Sequence, residues 1–283
     1  MQHVMSREGV RIPSILYGTA WKKERTVELV EMAVLKGFRG IDTAGQPKHY
    51  FERGVGDALK NLQVHHAIPR EQLYLQTKFT SLDGQDAKNV PYNPQDPLAV
   101  QVQTSLDSSL RNLQTDYVDS LILHSPLRVF RDLMEVWRSM EALKDSGKVK
   151  QLGISNCYDV RVLSRLWDES RVKPAVLQNR FYADTNYDVD LREFCLQHHI
   201  LYQSFWTLTA NPHILRSAAV TQLCHQYKKT PPQILYRYLL QSGVIPLIGC
   251  ADPNHMDDDL QIFGFELDKA GMAAVMSLLS LSA

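Results

Sequence analysis

The 283-residue chain has no net charge, because 31 Lys and Arg side chains balance 31 Asp and Glu side chains. This balance argues against a surface built mainly to neutralise nucleic-acid phosphates or anionic lipid. The start of the chain is polar, and its longest weakly polar run, Gly271–Ala283, is too short to span a bilayer. We therefore expect a soluble, cytoplasmic protein that has neither nucleic acid nor a membrane as a partner.

Cysteine is also scarce, and its spacing excludes two kinds of site. The four cysteines lie far apart, without a CxxC pair and without the Cys/His spacing of a zinc site. They are Cys157, Cys195, Cys224 and Cys250. We expect free thiols in a reducing compartment and no metal site.

A glycine-rich GxGxxG fingerprint is missing after the first apolar run, which argues against an open dinucleotide-binding sheet. Eight short runs rich in Val, Ile and Leu alternate with helical patterns, as expected for parallel strands buried on both faces. The predicted strands cover residues 14–18, 39–42, 73–78, 117–124, 149–154, 175–178, 200–204 and 243–247. The predicted helices between them cover residues 26–36, 51–62, 98–113, 129–144, 160–167 and 189–198.

Eight strand–helix units in a chain of this length predict one α/β domain, a (β/α)8 TIM barrel that spans residues 1–283. About three quarters of the unfolded surface of such a chain is buried on folding, so the core needs no disulfides. We expect the segment Met1–Pro13 to form a cap across the bottom of the barrel.

Polar residues end several of the apolar strands, and in a barrel of this type catalytic residues stand at those ends. Asp42, Lys78 and His124 each close a run that should be buried, and Asp42 would pair with Lys78. A lysine held there would lower the pKa of a neighbouring phenol, and Tyr50 is the available one. The alternative is a structural ion pair beside a core histidine.

Several short motifs follow one another along the chain. They are GFRGIDTA at residues 37–44, Glu52 with Val55-Gly56, Thr77-Lys78, Asp119 with LHSP at 123–126, GKV at 147–149 and LGISN at 152–156. With this order, from Gly18-Thr19 to Phe263, the chain resembles the aldo-keto reductase family. The resemblance implies an oxidoreductase that transfers a hydride from NAD(P)H to an aldehyde or ketone, with a small-molecule carbonyl compound as its partner.

The resemblance also implies roles for individual residues. Tyr50 would be the general acid, Lys78, paired with Asp42, would depress its pKa, and His124 would orient the carbonyl group. Ser155, Asn156 and Gln178 would hold the nicotinamide carboxamide, and Phe205 would stack on the nicotinamide ring. The remaining expected cofactor contacts are Gly18, Thr19, Asp42, Trp206, Leu208, Gly249, His255 and Asp258.

The loop that carries the tyrosine departs from the family pattern. The family tyrosine usually lies five residues after the aspartate, where this chain has Pro47. Counting backward from Gly56 would place His49 in the catalytic position, whereas residue type favours Tyr50. We expect Tyr50 to be the acid.

The segment after the last predicted strand departs from the family as well. Relatives commonly carry a Lys-Ser pair and an arginine that hold the 2′-phosphate of NADP, and here His255 is the only candidate cation between Leu247 and Asp259. Acidic charge in the same segment would not help to bind a phosphate. The family cofactor, NADP, remains the expectation, with NAD as a possible substitute.

Short loops around the predicted site favour an open cavity that accepts broad or bulky carbonyl compounds. We expect a monomer, with a homo-oligomer as the alternative.

A different class of function also fits the resemblance, a channel-associated subunit of the same fold that holds the nucleotide with little turnover. A metal-dependent barrel hydrolase is a weaker alternative, because His124 has neither an HxH pair nor clustered carboxylates beside it.

Overall fold

The structure, a computed structural model, describes residues 2–280 of the chain. Its strands are β1 His3–Met5, β2 Arg11–Pro13, β3 Leu16–Gly18, β4 Gly40–Asp42, β5 Tyr74–Phe79, β6 Val118–Leu123, β7 Val149–Ser155, β8 Val176–Arg180, β9 Leu201–Phe205 and β10 Val244–Ile248. Its α-helices are α1 Thr26–Lys36, α2 Glu52–His66, α3 Leu98–Leu113, α4 Phe130–Asp145, α5 Val160–Glu169, α6 Val189–Gln197, α7 Pro212–Leu215, α8 Ala218–Tyr227, α9 Pro231–Gln241, α10 Pro253–Leu260 and α11 Lys269–Ser280. Short 3-10 turns lie between several of them.

Strands β3 to β10 form a closed parallel barrel in chain order. The barrel closes between its last and first strands, where Ile248 of β10 pairs with Tyr17 of β3. The predicted single-domain (β/α)8 barrel is therefore confirmed, and each of the eight predicted strands coincides with one of these. Met1 and residues 281–283 of the predicted domain lie outside the described residues.

The helices after residue 198 were not predicted, although one of them has a clear start signal. Helix α9 follows Thr230, whose hydroxyl accepts a hydrogen bond from the Gln233 backbone while the Gln233 side chain accepts one from the Thr230 backbone. Pro231 stands at the first helical position, where a missing N–H costs nothing. This capping box with proline identifies the helix start.

The β1–β2 hairpin lies at the end of the barrel where the strands begin. Val4 pairs with Ile12 in antiparallel register. Ile12 is fully buried and packs in one apolar cluster with Tyr74 and Val176, which begin β5 and β8. The hairpin covers this end of the barrel, and the carboxyl ends of the strands lie at the opposite end. Met1, the first residue of the predicted cap, lies outside the described residues.

Candidate active site

A cavity of about 920 Å³ opens at the end of the barrel where the strands finish. Most of the predicted site residues line it: Gly18, Asp42, Tyr50, His124, Ser155, Asn156, Gln178, Phe205, Trp206, Leu208, Gly249, His255 and Asp258. Lys78 and Thr19 are buried beside the cavity rather than on its wall. The parallel strands bring these side chains together, because their carboxyl ends all meet at one face.

Asp42 and Lys78 form a buried ion pair beneath the cavity. The Lys78 Nζ atom lies 2.6 Å from Asp42 Oδ2 and 2.8 Å from the Thr43 carbonyl oxygen, and both side chains of the pair are 1% exposed. Burial lowers the pKa of Lys78, and the Asp42 carboxylate opposes that change. The cation is thus bound to two oxygens and held in one place.

Two buried glutamines hold the other carboxylate oxygen: Gln178, which was predicted as a cofactor contact, and Gln76, which was not predicted. Gln76 Nε2 donates to Asp42 Oδ1 at 2.7 Å, and Gln178 Nε2 donates to the same oxygen at 3.1 Å. The Gln203 amide oxygen accepts hydrogen bonds from both of these glutamines at 2.9 Å. The sequence signal for such a network is a polar side chain inside an apolar strand, because a buried amide needs hydrogen-bond partners.

Tyr50 and His124 lie above this ion pair. The Tyr50 ring centroid is 5.1 Å from Lys78 Nζ and 6.0 Å from the His124 ring centroid. The Nδ1 atom of His124 is 2.7 Å from the Thr80 hydroxyl oxygen. Burial and the Lys78 charge lower the pKa of His124 to about 3, so this imidazole is neutral at physiological pH. Thr80, which positions the ring, was not among the predicted residues.

The predicted lowering of the Tyr50 pKa is wrong for this structure. Burial raises the pKa of Tyr50, and the Asp42 carboxylate raises it further. Asp42, 2.6 Å from Lys78, offsets part of its charge, so the stabilisation that Lys78 gives the phenolate is smaller than the opposing effect of burial. Tyr50 is therefore protonated at neutral pH.

Both candidates for the acid position line the cavity, but their surroundings differ. The His49 ring lies against Trp21, with ring centroids 3.9 Å apart, and the Trp21 backbone N–H donates to the His49 carbonyl at 2.7 Å. His49 Nδ1 is buried without a hydrogen-bond partner in the described part of the chain. Tyr50, in contrast, faces Lys78 and His124.

The residues predicted to hold a nicotinamide carboxamide end β7 and β8. Ser155 Oγ donates to the Gln178 carbonyl at 2.6 Å, and Asn156 Nδ2 donates to the His124 carbonyl at 2.8 Å. Asn156 has φ of 51°, a left-handed conformation that asparagine adopts more readily than most residues. Thr19 donates its hydroxyl hydrogen to the Asp42 carbonyl at 3.0 Å. These contacts fix the upper rim of the barrel.

The segment after β10 closes the far end of the cavity, and here a second cation corrects the prediction. Lys22, from the loop after β3, lines the cavity, and its ammonium group donates a hydrogen bond to the Gly249 carbonyl oxygen. His255 is therefore not the only candidate cation at this end. The Asp252 carboxylate accepts hydrogen bonds from the backbone N–H groups of Asn254 and His255, so it already caps the start of α10.

Comparison with known proteins identifies the chain. A model of the aldo/keto reductase family matches residues 14–210 and 206–280. The chain belongs to the aldo/keto reductase family. The prediction of an NAD(P)H-dependent oxidoreductase is thereby confirmed at the level of the family.

Individual relatives of this aldo/keto reductase cover nearly its whole length. The methylglyoxal reductase DkgA of Yersinia pestis is 30% identical over 260 residues, which cover 90% of this chain and 86% of that protein. Prostaglandin F synthase 1 of Bos taurus is 27% identical over 311 residues, covering 98% of this chain and 91% of that protein. A crystal structure of an aldo/keto reductase from Brucella melitensis has a TM-score of 0.83 at 28% identity, covering 98% of this chain and 99% of that one.

The described part of the chain contains neither a candidate metal site nor a membrane-spanning helix. Among residues 2–280, three or more His, Cys, Asp or Glu side chains do not come together in an arrangement that could hold a metal ion. Within the same residues, every helix is too short or too polar to cross a membrane.

Proposed function

We propose that this aldo/keto reductase uses NAD(P)H to reduce an aldehyde or ketone to an alcohol, with Tyr50 as the general acid. The observation that carries the proposal is the group formed by Tyr50, His124 and the Lys78–Asp42 pair at the floor of the cavity. Lys78 Nζ lies 5.1 Å from the Tyr50 ring centroid, and the His124 ring lies 6.0 Å away from it. The names of the relatives, a methylglyoxal reductase and a prostaglandin F synthase, support a carbonyl substrate.

Each side chain has a defined task in this proposal. When bound, the reduced nicotinamide supplies the hydride. Tyr50 is protonated at neutral pH, because burial raises its pKa, so it can donate a proton to the carbonyl oxygen. His124 stays neutral and orients that oxygen by a hydrogen bond. Lys78 stabilises the Tyr50 phenolate once the proton has left, when its positive charge matters most.

The cavity fits a nicotinamide cofactor in its lining and its extent. The side chains of Ser155, Asn156 and Gln178 line the part of the cavity where a carboxamide would bind, and Phe205 provides an aromatic wall. The cavity continues past Trp206 to Gly249, His255 and Asp258 at the start of α10. These residues would hold the cofactor in the order expected from the sequence.

We propose NADP as the cofactor, with weak discrimination against NAD. The Asp252 carboxylate occupies the N–H groups at the start of α10, which would otherwise favour a phosphate. Lys22 adds one positive charge on the other side of Gly249. One cation opposite a capped helix supports binding of the 2′-phosphate but not strong selection for it. The expectations of a cytoplasmic location and a monomeric state stay predictions.

The proposal is tested by NADPH consumption with a panel of reactive aldehydes, in the wild type and in Tyr50→Phe. The variant keeps the ring and removes the proton donor, so we expect kcat/KM to fall by about 100- to 10,000-fold. His49→Ala is the matched control, and its kcat/KM should stay within about fivefold of the wild type. Full activity in Tyr50→Phe, or a large loss confined to His49→Ala, would refute the assignment. Absence of turnover with every aldehyde would favour a nucleotide-holding subunit.

A further inference from the structure

Arg180, the last residue of β8, is a cation in the cavity wall that has no anionic partner among residues 2–280. Its Nε atom is buried and has no hydrogen-bond partner among the described residues. Within residues 2–280 none of the ion pairs includes it. An Nε–H without an acceptor is costly, and the half-buried side chain can relieve this cost by turning its guanidinium toward an anion in the cavity.

The alternation of side chains along β8 directs Arg180 toward the cavity. Gln178 and Arg180 lie two residues apart and so share one face of the strand, and both line the cavity. Asn179 points to the opposite face, where its amide donates to the Asp188 carboxylate at 2.6 Å. That carboxylate therefore lies on the other side of the strand from the Arg180 side chain.

Aromatic rings hold the guanidinium in place. The Arg180 Cζ atom lies 4.1 Å from the Trp206 ring centroid and 5.2 Å from the Tyr182 ring centroid. The Arg180 backbone N–H donates to the Tyr158 hydroxyl at 3.1 Å. Stacking on aromatic faces leaves the planar edge of a guanidinium free for the paired hydrogen bonds that carboxylates and phosphates accept.

The other charged groups of the cavity wall are already matched or lie elsewhere. Asp42 is neutralised by Lys78 at the floor. The remaining charged or titratable side chains at the β10 end are Lys22, Tyr236, Cys250, His255, Asp258 and Asp259. Among the described residues, Arg180 is thus the unmatched positive charge on the β8 side of the cavity.

We propose that Arg180 binds an anionic group of the substrate, so that the preferred carbonyl compounds carry a carboxylate or a phosphate. This inference rests on the carbonyl reduction proposed above, because it names the class of carbonyl compound. A guanidinium makes strong charge-assisted hydrogen bonds to either anion. Arg180 is accordingly a specificity-determining residue, separate from the group that protonates the carbonyl oxygen.

The experiment compares two substrates that differ only in charge, 4-carboxybenzaldehyde and methyl 4-formylbenzoate, with NADPH in excess. The readout is the ratio of kcat/KM for the acid to kcat/KM for the ester, from which a general change in activity cancels. We expect a ratio of about 10 to 100 in the wild type and close to one in Arg180→Met. Arg180→Lys should give an intermediate ratio. Arg161→Met, on the exposed surface of α5, controls for the change in net charge.

A phosphate is tested in the same way with glyceraldehyde 3-phosphate and glyceraldehyde, and a high ratio with only one of the two pairs identifies the preferred anion. A ratio near one for both pairs in the wild type would overturn the proposal. An unchanged ratio in Arg180→Met would also overturn it, and a higher KM for NADPH in that variant would instead assign Arg180 to the cofactor.

The site can also be tested without turnover. If the wild type reduces neither aldehyde, the proposed reductase function fails, and the anion site is tested by titrating terephthalate against tryptophan fluorescence, to which Trp206 contributes. Binding at least tenfold weaker in Arg180→Met than in the wild type would support the site. Equal binding, or no binding by the wild type, would overturn it.

Discussion

Two buried aspartates, Asp42 and Asp119, sit at opposite ends of the barrel and bind their cations in different ways. Asp42 ends β4 and pairs with Lys78, and both side chains are 1% exposed. Asp119 lies near the start of β6 and accepts hydrogen bonds from Arg70 at 2.8 Å, from Lys150 at 2.8 Å and from a backbone N–H. Lys150 is 48% exposed, so this second cluster reaches water.

The difference lies in what each carboxylate is connected to. The cluster around Asp119 links the segment of Arg70 with β5, β6 and β7 at the hairpin end of the barrel, and water can replace a lost partner there. The Asp42–Lys78 pair lies instead between buried glutamines and the Tyr50 ring, so each change in it reaches the cavity. A buried carboxylate can therefore serve stability alone or stability and chemistry, and its neighbours decide which.

The largest expected effect on stability and activity comes from comparing two variants, each of which removes the cation at one end of the barrel. Lys78→Met leaves Asp42 buried without its counter-ion, so the free energy of unfolding should fall by about 3–5 kcal/mol. It also removes the charge that stabilises the Tyr50 phenolate, and kcat/KM should fall at least about 100-fold. Arg70→Met leaves Asp119 with Lys150 and a backbone donor, so we expect a loss of about 1–2 kcal/mol and kcat/KM within twofold.

Urea unfolding and steady-state kinetics on both variants measure these effects. The comparison breaks if Lys78→Met keeps its kcat/KM, because the ion pair would then serve stability only. The comparison also fails if the kcat/KM of Arg70→Met falls by clearly more than twofold, since the hairpin end of the barrel would then influence the reaction.

The sequence predicted the barrel because its strands are buried on both faces, and runs such as 118–123 are apolar without alternation except at Asp119 and Ser120. It also predicted which strand ends meet, since parallel strands in chain order bring Asp42, Lys78 and His124 to one face. Local patterns suffice for these features. The helices after residue 198 were missed where proline and capping signals, rather than hydrophobic period, mark their starts.

Contacts between distant segments could not be predicted from local patterns. Lys22 reaches Gly249, 227 positions later, only because β3 pairs with β10 when the barrel closes. The stacking of Arg180 on Trp206 likewise depends on β8 lying beside β9. The direction of the shift in the Tyr50 pKa was predicted wrongly, because the pairing of Lys78 with Asp42 and the burial of the phenol are properties of the assembled site.

The pH dependence of stability tests the open end of the barrel, where His124 directly follows β6. The folded protein holds His124 at a pKa of about 3, below the ordinary value of about 6.5. As the pH falls through 6.5, the unfolded chain takes up this proton and the folded protein does not, so stability is lost between pH 6.5 and 3. His124→Gln removes this contribution, and its unfolding free energy should fall less steeply over that range, by at most about 1.4 kcal/mol per pH unit.

Urea unfolding at several pH values checks this prediction, with His65→Gln, an exposed residue of α2, as the control. The control should follow the wild-type curve. Equal slopes for the wild type and His124→Gln would mean that His124 is not held neutral in the folded protein.

The smallest expected effect concerns the far end of the cavity, where Lys22 contacts the Gly249 carbonyl. Because Lys22 is partly exposed, its attraction to a phosphate is modest, and Lys22→Met should weaken NADPH binding about two- to fivefold. NADH binding should change less, since NADH lacks the 2′-phosphate. Lys23→Met, the exposed neighbour, is the matched control and should leave both dissociation constants unchanged. An equal loss for NADPH and NADH would place Lys22 at a group that both cofactors share, and a loss in Lys23→Met would assign the effect to net charge.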